Sequence, residues 1–193
     1  MSLDDQIRWD RQYLGSDGRE EPAAFLKEIL EAGHWDIAPG RALDIACGTG
    51  RNALFLAEKG FTVSAVDISR VGLALGARRA KERSLSISWQ QADLESFQLP
   101  HAAYDLIMNI NFLQRSLIPQ IKSALIIGGH VIFETYLIDQ QAIGHPKNPN
   151  YLLARNELLE HFRDFHVLYY REGKFADGDE LAFRAGIFAQ KLG

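Results

Sequence analysis

Residues 41–52 read Arg-Ala-Leu-Asp-Ile-Ala-Cys-Gly-Thr-Gly-Arg-Asn. Ala42 to Ala46 is an apolar strand carrying one carboxylate, Asp44, and it runs into the turn Cys47-Gly48-Thr49-Gly50. Leu54, Leu56 and Ala57 continue beyond the turn as a helix that Gly60 ends. Glycine at 48 and 50 opens backbone angles closed to other residues and lets a ligand approach without meeting a Cβ. Strand, glycine turn and helix in this order aim backbone N–H groups into the crevice above the strand, where open α/β sheets bind nucleotide-like ligands.

Downstream, Phe61 to Val66 is a second strand ending at Asp67, with Ser69 placed to cap a helix over Val71 to Arg83. Leu85 to Gln90 alternates as a third strand and meets Gln91-Ala92-Asp93-Leu94. Tyr104 to Ile110 holds the continuous run Leu106-Ile107-Met108, expected of a parallel strand covered on both faces, and its polar end is Asn109 and Asn111. Leu117, Ile121, Ala124 and Leu125 repeat at helical spacing, with Pro119 in the first turn. Gly128-Gly129 is expected to stop that helix before a fifth strand, His130 to Tyr136. Leu137 to Leu153, with Gly144, Pro146 and Pro149, reads as a long loop of the kind that is usually functional or disordered.

Asn156 is expected to cap a helix bearing Leu158, Leu159 and Phe162, before a sixth strand over Phe165 to Tyr170. Turn signals at Gly173 and Asp177-Gly178-Asp179 precede an alternating seventh strand through Leu181, Phe183, Ala185, Ile187 and Ala189. Two strands joined without a long helix pair antiparallel. Upstream, Leu3 to Leu14 is a short helix or arm bearing Ile7, Trp9 and Tyr13. Pro22 opens a helix whose stripe Phe25, Leu26, Ile29 and Leu30 stops at Gly33. The pattern predicts one α/β domain over 1–193, a Rossmann-like doubly wound, seven-stranded, mostly parallel sheet with a C-terminal antiparallel hairpin and helices on both faces. Within it, 1–36 is an arm and helix, 41–136 the cofactor-binding core, 137–153 a loop and 154–193 a helix and hairpin.

With 193 residues, 47% of them hydrophobic, the chain fills one core. A net charge of −4 lacks the basic field that nucleic acid requires, so the expected partner is a small molecule rather than nucleic acid. Cys47 is the single cysteine, and no run reaches the ~20 apolar residues of a membrane span, so a cytoplasmic protein, monomer or homodimer, is expected. The six histidines show no metal-ligand spacing with acids or Cys47, and no metal site is expected.

Gly48-x-Gly50-x-x-Ala53 also fits an alanine-ending dinucleotide fingerprint. Asp44, inside the strand before the glycines, would repel a pyrophosphate and suits a less anionic ligand. Asp67 at the end of the second strand can accept both ribose hydroxyls. Asp93, beside Ala92 and Leu94, offers a carboxylate for an adenine amino group between apolar neighbours.

Taken together, Leu43–Asn52, Phe61–Ser69, Gln91–Leu94 and Tyr104–Leu113 resemble the class I S-adenosylmethionine-dependent methyltransferases. The resemblance implies S-adenosylmethionine as cofactor, with S-adenosylhomocysteine as product. It places Gly48 and Gly50 at the methionine part, Asp67 at ribose, Asp93 with Leu94 at adenine, and Asn109 or Ile110 beneath the sulfonium side. The full candidate cofactor set is Tyr13, Asp44, Ala46, Gly48, Gly50, Asn52, Asp67, Ile68, Asp93, Leu94, Asn109 and Ile110. Cys-Gly-Thr-Gly-Arg-Asn with Leu56–Phe61, and the tail Asn156–Phe162, are similar to the tellurite-resistance methyltransferase group, associated with tellurium and selenium oxyanions or thiols as acceptors. Asn109-Ile110-Asn111-Phe112 departs from the Asn/Asp-Pro-Pro-Tyr/Phe of amino-group DNA methyltransferases.

Plainer readings stand beside these. Asp67 can be a helix N-terminal charge, Asp93 a turn residue and Cys47 merely small. Trp9 and Tyr13 either staple the arm to the core or close over the cofactor. Glu134 is a strand-end residue or faces the acceptor, and the acceptor-side candidates are Tyr13, Arg115, Tyr136 and His145. A soft thiolate or chalcogen needs no general base, and none stands out. The alternatives are a non-catalytic module that binds the same cofactor, which the sequence does not separate from an enzyme, and an NAD-dependent oxidoreductase, for which the chain is short.

Overall fold

A computed structural model describes residues 3–15, 20–177 and 180–193. The order along the chain is α1 (Leu3–Leu14), α2 (Ala24–Glu31), β1 (Arg41–Ile45), α3 (Arg51–Glu58), β2 (Thr62–Asp67), α4 (Arg70–Glu82), β3 (Ile87–Gln91), β4 (Tyr104–Ile110), α5 (Ile118–Ala124), β5 (Leu125–Tyr136), α6 (Glu157–His161), β6 (Phe165–Asp177) and β7 (Glu180–Lys191). Seven strands form one sheet in the order β3-β2-β1-β4-β5-β7-β6. The first five run parallel, and β7 enters antiparallel between β5 and β6. Strand order reverses between β1 and β4, which opens a crevice at their carboxyl ends.

Both faces of the sheet are filled. Phe25 and Ile29 of α2, Leu56 of α3 and Leu73 of α4 pack with Ala42, Val63, Ile132 and Phe188 on one side. Ile121 of α5 and Leu158 of α6 pack with Leu43, Ile107, Val131 and Ile187 on the other. The alternation of β1, β4 and β5 residues between the two clusters follows from the pleat.

Four expectations are corrected. Gly128-Gly129 does not stop a helix: α5 already ends at Ala124, and the glycines lie inside β5, which starts at Leu125. Leu125 pairs with Tyr104 and His130 with Leu106, so the intervening residues bulge outward, with Gly128 at φ +81°. Asn156 stands before α6 in the left-handed region without a side-chain cap; its N–H donates to Glu172 Oε2 (2.8 Å). Gly173 is not a turn, because it continues β6 opposite Arg184. Leu137 to Leu153 is not structureless: it holds two short 3₁₀ turns, Ile138–Ala142 and Pro149–Tyr151, and a bridge between Leu137 and Leu153 closes its neck. The turn expected around Asp177-Gly178-Asp179 lies partly outside the described residues.

α2 owes its seat to a missing side chain. A Cβ on Gly186 of β7 would stand 2.9–3.1 Å from the Phe25 ring. Gly186→Ala is expected to force the ring or α2 outward and to cost about 1–3 kcal/mol, read as a lower urea midpoint with an unchanged slope. An unaltered midpoint would contradict this packing.

Candidate active site

β1 delivers the chain to the crevice and the turn folds back sharply. Ala46 has φ +52°, Gly48 +57° and Gly50 +76°, and Gly50 N–H closes on Cys47 O (2.9 Å) before α3 begins. The turn is held from the next strand. Asp67 Oδ2 accepts from Gly48 N (2.7 Å) and Oδ1 from Ser69 N (2.8 Å), so one carboxylate joins the glycine turn to the start of α4. Each oxygen keeps a further lone pair for a ligand hydroxyl. Ser69 caps α4 as expected, its Oγ accepting from Gly72 N (3.0 Å).

α1 covers this region. Asp10 Oδ1 accepts from Ser69 Oγ (2.6 Å) and Val71 N (3.1 Å), which fastens α1 to the N-terminus of α4. Against the upward push of burial, those bonds hold the Asp10 carboxyl below its ordinary range. Tyr13, one helical turn on from Trp9 and stacked with it, lies over the glycine turn. A Cβ on Gly48 would come within 2.6 Å of Tyr13 Oη, and one on Gly72 within 3.0 Å of its ring. Gly50 has a different neighbour: its missing Cβ, like that of Gly76, leaves room for the Trp89 indole, 2.3 Å from where a Gly50 Cβ would be. The glycines therefore admit aromatic rings from this chain itself, Tyr13 above the turn and Trp89 beneath it.

Beside this cover a cavity of about 320 Å³ is lined by Leu3, Gln6, Ile68, Gln91, Ala92 and Asp93. Its apolar walls and single carboxylate suit a flat heterocycle with an exocyclic amino group. Asp93 Oδ1 accepts from Glu95 N (2.9 Å), and the Leu94 side chain is buried behind it. Leu3, Gln6 and Gln91 were not among the candidates. The i, i+3 spacing of Leu3 and Gln6 on a predicted helix was the available signal, but nothing local told which surface that helix face would meet.

The crevice holds two neighbouring carboxyl groups and is partly dry. Asp44 is 1% exposed and its Oδ2 has no hydrogen-bond partner. Burial pushes its carboxyl up to about 8, and the Asp67 charge adds to the rise. Burial raises Asp67 as well, against the Ser69 and Gly48 N–H groups. Burial, then the Asp67 charge, raise the Tyr13 phenol, and burial keeps the Cys47 thiol protonated, as fits a small residue in a tight turn. A buried carboxyl oxygen without a partner, a second carboxyl with lone pairs to spare and a purine-sized cavity fit a ligand that carries positive charge, ribose hydroxyls and adenine. They do not fit a pyrophosphate.

The remaining candidates are placed elsewhere. Asn52 Oδ1 holds Ala23 N–H (2.8 Å), which ties α3 to the approach of α2. Asn109 Nδ2 donates to Phe112 O (2.7 Å), shaping the end of β4 beside buried Ile110. Arg115 donates to both Glu157 oxygens (2.6 and 2.9 Å) and to the carbonyls of Asn150 and Leu152, clamping the 137–153 segment rather than facing the glycine turn. His145 is exposed, and its carbonyl accepts from Gln140 Nε2. Tyr136 lies under the Arg184 guanidinium, 4.4 Å from ring centre to Cζ. Among the described residues no group of three His, Cys, Asp or Glu could hold a metal ion, and no helix is long and apolar enough to cross a membrane.

Asp44 supplies a pH test. It keeps its proton up to about pH 8 when folded, whereas an unfolded aspartate loses it near pH 4. Between these values the native state binds the extra proton, so Asp44 makes the chain less stable as pH rises from about 4 to 8. Urea unfolding across that window is expected to show Asp44→Asn gaining on the parent chain as pH rises. Parallel pH profiles would contradict a buried, protonated Asp44.

Comparison with known proteins agrees with this geometry. Residues 42–127 match a family described as a methyltransferase domain. TehB of Haemophilus influenzae, named as an S-adenosyl-L-methionine-dependent methyltransferase, is 28% identical over 143 residues, which cover 70% of this chain and 49% of TehB. The chain thus spans about half the length of the curated relatives it matches first. The crystal structure of that TehB superposes with a TM-score of 0.70 at 26% identity, covering 86% of this chain and 59% of its own. A structure described for the conversion of a disulfide bond into a thioacetal group during echinomycin biosynthesis shares the fold, with a TM-score of 0.76 at 18% identity over 97% and 92% of the two chains. By its sheet topology, the methyltransferase-domain match over residues 42–127 and its likeness to TehB, the chain is similar to the class I S-adenosylmethionine-dependent methyltransferases, and the cofactor that likeness points to is S-adenosylmethionine.

Proposed function

We propose that this chain transfers a methyl group from S-adenosylmethionine to a small-molecule acceptor, and that the acceptor atom is a soft nucleophile, a thiol or a tellurium or selenium oxyanion. The observation that carries the reading is the Asp67 carboxylate, fixed by Gly48 and Ser69 N–H between the glycine turn and the purine-sized cavity. When bound, the cofactor supplies a methyl group already activated by the sulfonium charge.

What the protein contributes is placement. Asp67 accepts the ribose hydroxyls, Ile68, Ala92 and Asp93 flank the adenine with Leu94 buried behind them, and the Asp67 carboxylate beside the buried Asp44 carboxyl favours a cation. Tyr13 and α1 close the crevice from above and keep water from the reacting atoms. Alignment of this kind supplies roughly 7–11 kcal/mol of a bimolecular barrier. The side chains nearest the carboxyl end of β5 are engaged: Glu134 accepts from Arg171 Nη2 (2.6 Å) and faces Arg184 at 3.8 Å, so its oxygens are held by guanidinium groups. An acceptor that is ionised or lone-pair-rich at neutral pH needs no general base. The similarity to TehB supports the cofactor part of this reading.

Calorimetric titration is expected to show S-adenosylmethionine and S-adenosylhomocysteine binding and NAD not binding. Asp67→Asn is expected to weaken both by about tenfold or more, since each charge-assisted bond is worth roughly 1.5–3 kcal/mol. Binding of NAD alone, or an affinity indifferent to Asp67→Asn, would overturn the assignment. A screen of thiols, selenite and tellurite, read by release of S-adenosylhomocysteine, tests the acceptor class.

A further inference from the structure

A chain of paired charges, part-exposed at Glu28 and buried at Glu134 and Arg184, runs through the sheet face beneath α2 and ends at the rim of the crevice. Arg171 of β6 lies between the rings of Phe25 (4.6 Å) and Phe175 (4.4 Å) and pairs with Glu28 of α2 and Glu134 of β5. Glu134 faces Arg184 of β7, which is 0% exposed. Arg184 donates from Nη2 to Tyr136 Oη (3.2 Å) and from Nη1 to Asn111 Oδ1. Glu28, Arg171, Glu134 and Arg184 together carry no net charge. Removing one member would strand a buried ion, which makes the row rigid.

Its last contact fixes the one exposed member. Asn111 follows β4 directly, in the left-handed region at φ +61°, and its backbone N–H donates to Glu134 O (2.9 Å). A guanidinium can only donate, so the amide must turn its oxygen to Arg184. The Asn111 NH₂ is then directed away from the buried row. Along the sheet the purine-sized cavity lies at the ends of β2 and β3, the glycine turn at β1, and Asn111 at the ends of β4 and β5. From β3 to β4 is three strand spacings, about 14 Å. Asn111 therefore lies at the opposite end of the crevice from the adenine cavity, on the acceptor side.

We infer that Asn111 is a specificity-determining residue: its amide, oriented by Arg184, offers N–H groups to the methyl acceptor and selects acceptors that carry an anionic or lone-pair oxygen over cationic ones. Arg184, Glu134 and Arg171 are positioning residues that hold this amide in one orientation. The inference rests on the proposed methyltransferase reading. It adds which residue reads the acceptor and what sign of charge it favours.

Two small thiols of opposite charge serve as probes, mercaptoacetate and cysteamine. Each is titrated by ligand-observed NMR into protein saturated with S-adenosylhomocysteine. The parent chain is expected to bind mercaptoacetate at least about tenfold more tightly than cysteamine. Asn111→Asp keeps an oxygen for Arg184 but presents an anionic acceptor in place of the donor, and it is expected to lower that ratio by about tenfold or more. Asn111→Gly, which tolerates the positive φ, is expected to weaken mercaptoacetate several-fold and leave cysteamine unchanged. Affinity for S-adenosylhomocysteine stays the same in all three proteins. An unchanged thiol ratio in Asn111→Asp overturns the inference, as does loss of S-adenosylhomocysteine binding in that variant, which would put Asn111 on the cofactor instead. Failure of the parent chain to bind S-adenosylhomocysteine removes the methyltransferase reading and this inference with it, and a direct cofactor titration distinguishes that result from the others.

Discussion

A single buried carboxylate connects most of what this fold does. Asp67 ends β2, takes the Gly48 N–H from the turn after β1 and the Ser69 N–H at the start of α4, and lies below Tyr13. Two backbone donors that no neighbouring strand would pair are satisfied by one side chain, and the spacing of two parallel strands becomes the spacing of two helix N-termini. The same oxygens retain lone pairs that a ligand hydroxyl can use. Burial, then the charge of nearby Asp67, keeps the Asp44 carboxyl protonated to about pH 8, a crowding of carboxyls that a nearby cation relieves and a pyrophosphate would aggravate.

α1 is attached to this arrangement rather than to the core. None of its residues is fully buried, and its fastening is Asp10 on Ser69 and Val71 together with Tyr13 over Gly48. Polar bonds of that kind contribute about 0.5–1.5 kcal/mol each, more to a charged group, far less than a buried hydrophobic face would. A cover held this lightly can lift to admit a ligand while the sheet beneath it stays fixed.

The parallel half of the sheet was readable because its signals are local. Continuous apolar runs in β1, β2 and β4, glycines at 48 and 50 and the Ser69 cap each state their own conformation. The positions of Asp67 and Asp93 were readable for the same reason, since both stand at strand ends. Elsewhere the decisive partner was distant in sequence. Gly128-Gly129 looks like a helix stop until Tyr104 and Leu106 set the register that makes it a bulge. Gly173 looks like a turn until Arg184 pairs with it. Asn52 and Arg115 carry side chains apt for ligand binding, yet Ala23 N–H and Glu157 occupy them. The role of Gly50 was read as ligand access, whereas its near neighbour is Trp89, a contact no local pattern encodes.

β7 comes after β6 in sequence but before it in the sheet, and this ordering governs how the molecule can be made. During synthesis β1 to β5 emerge and can pair while the outer edge of β5 still lacks its neighbour. β6, which has no partner but β7, waits with it. Ile187 and Phe188 project to opposite sides of β7 and complete both hydrophobic clusters at once. The nascent chain therefore carries an open, apolar sheet edge until its seventh strand leaves the ribosome, a state prone to pairing with other chains. The strand that closes that edge also brings in Arg184, so the buried row of charges is complete only in a molecule whose β5 edge is already covered.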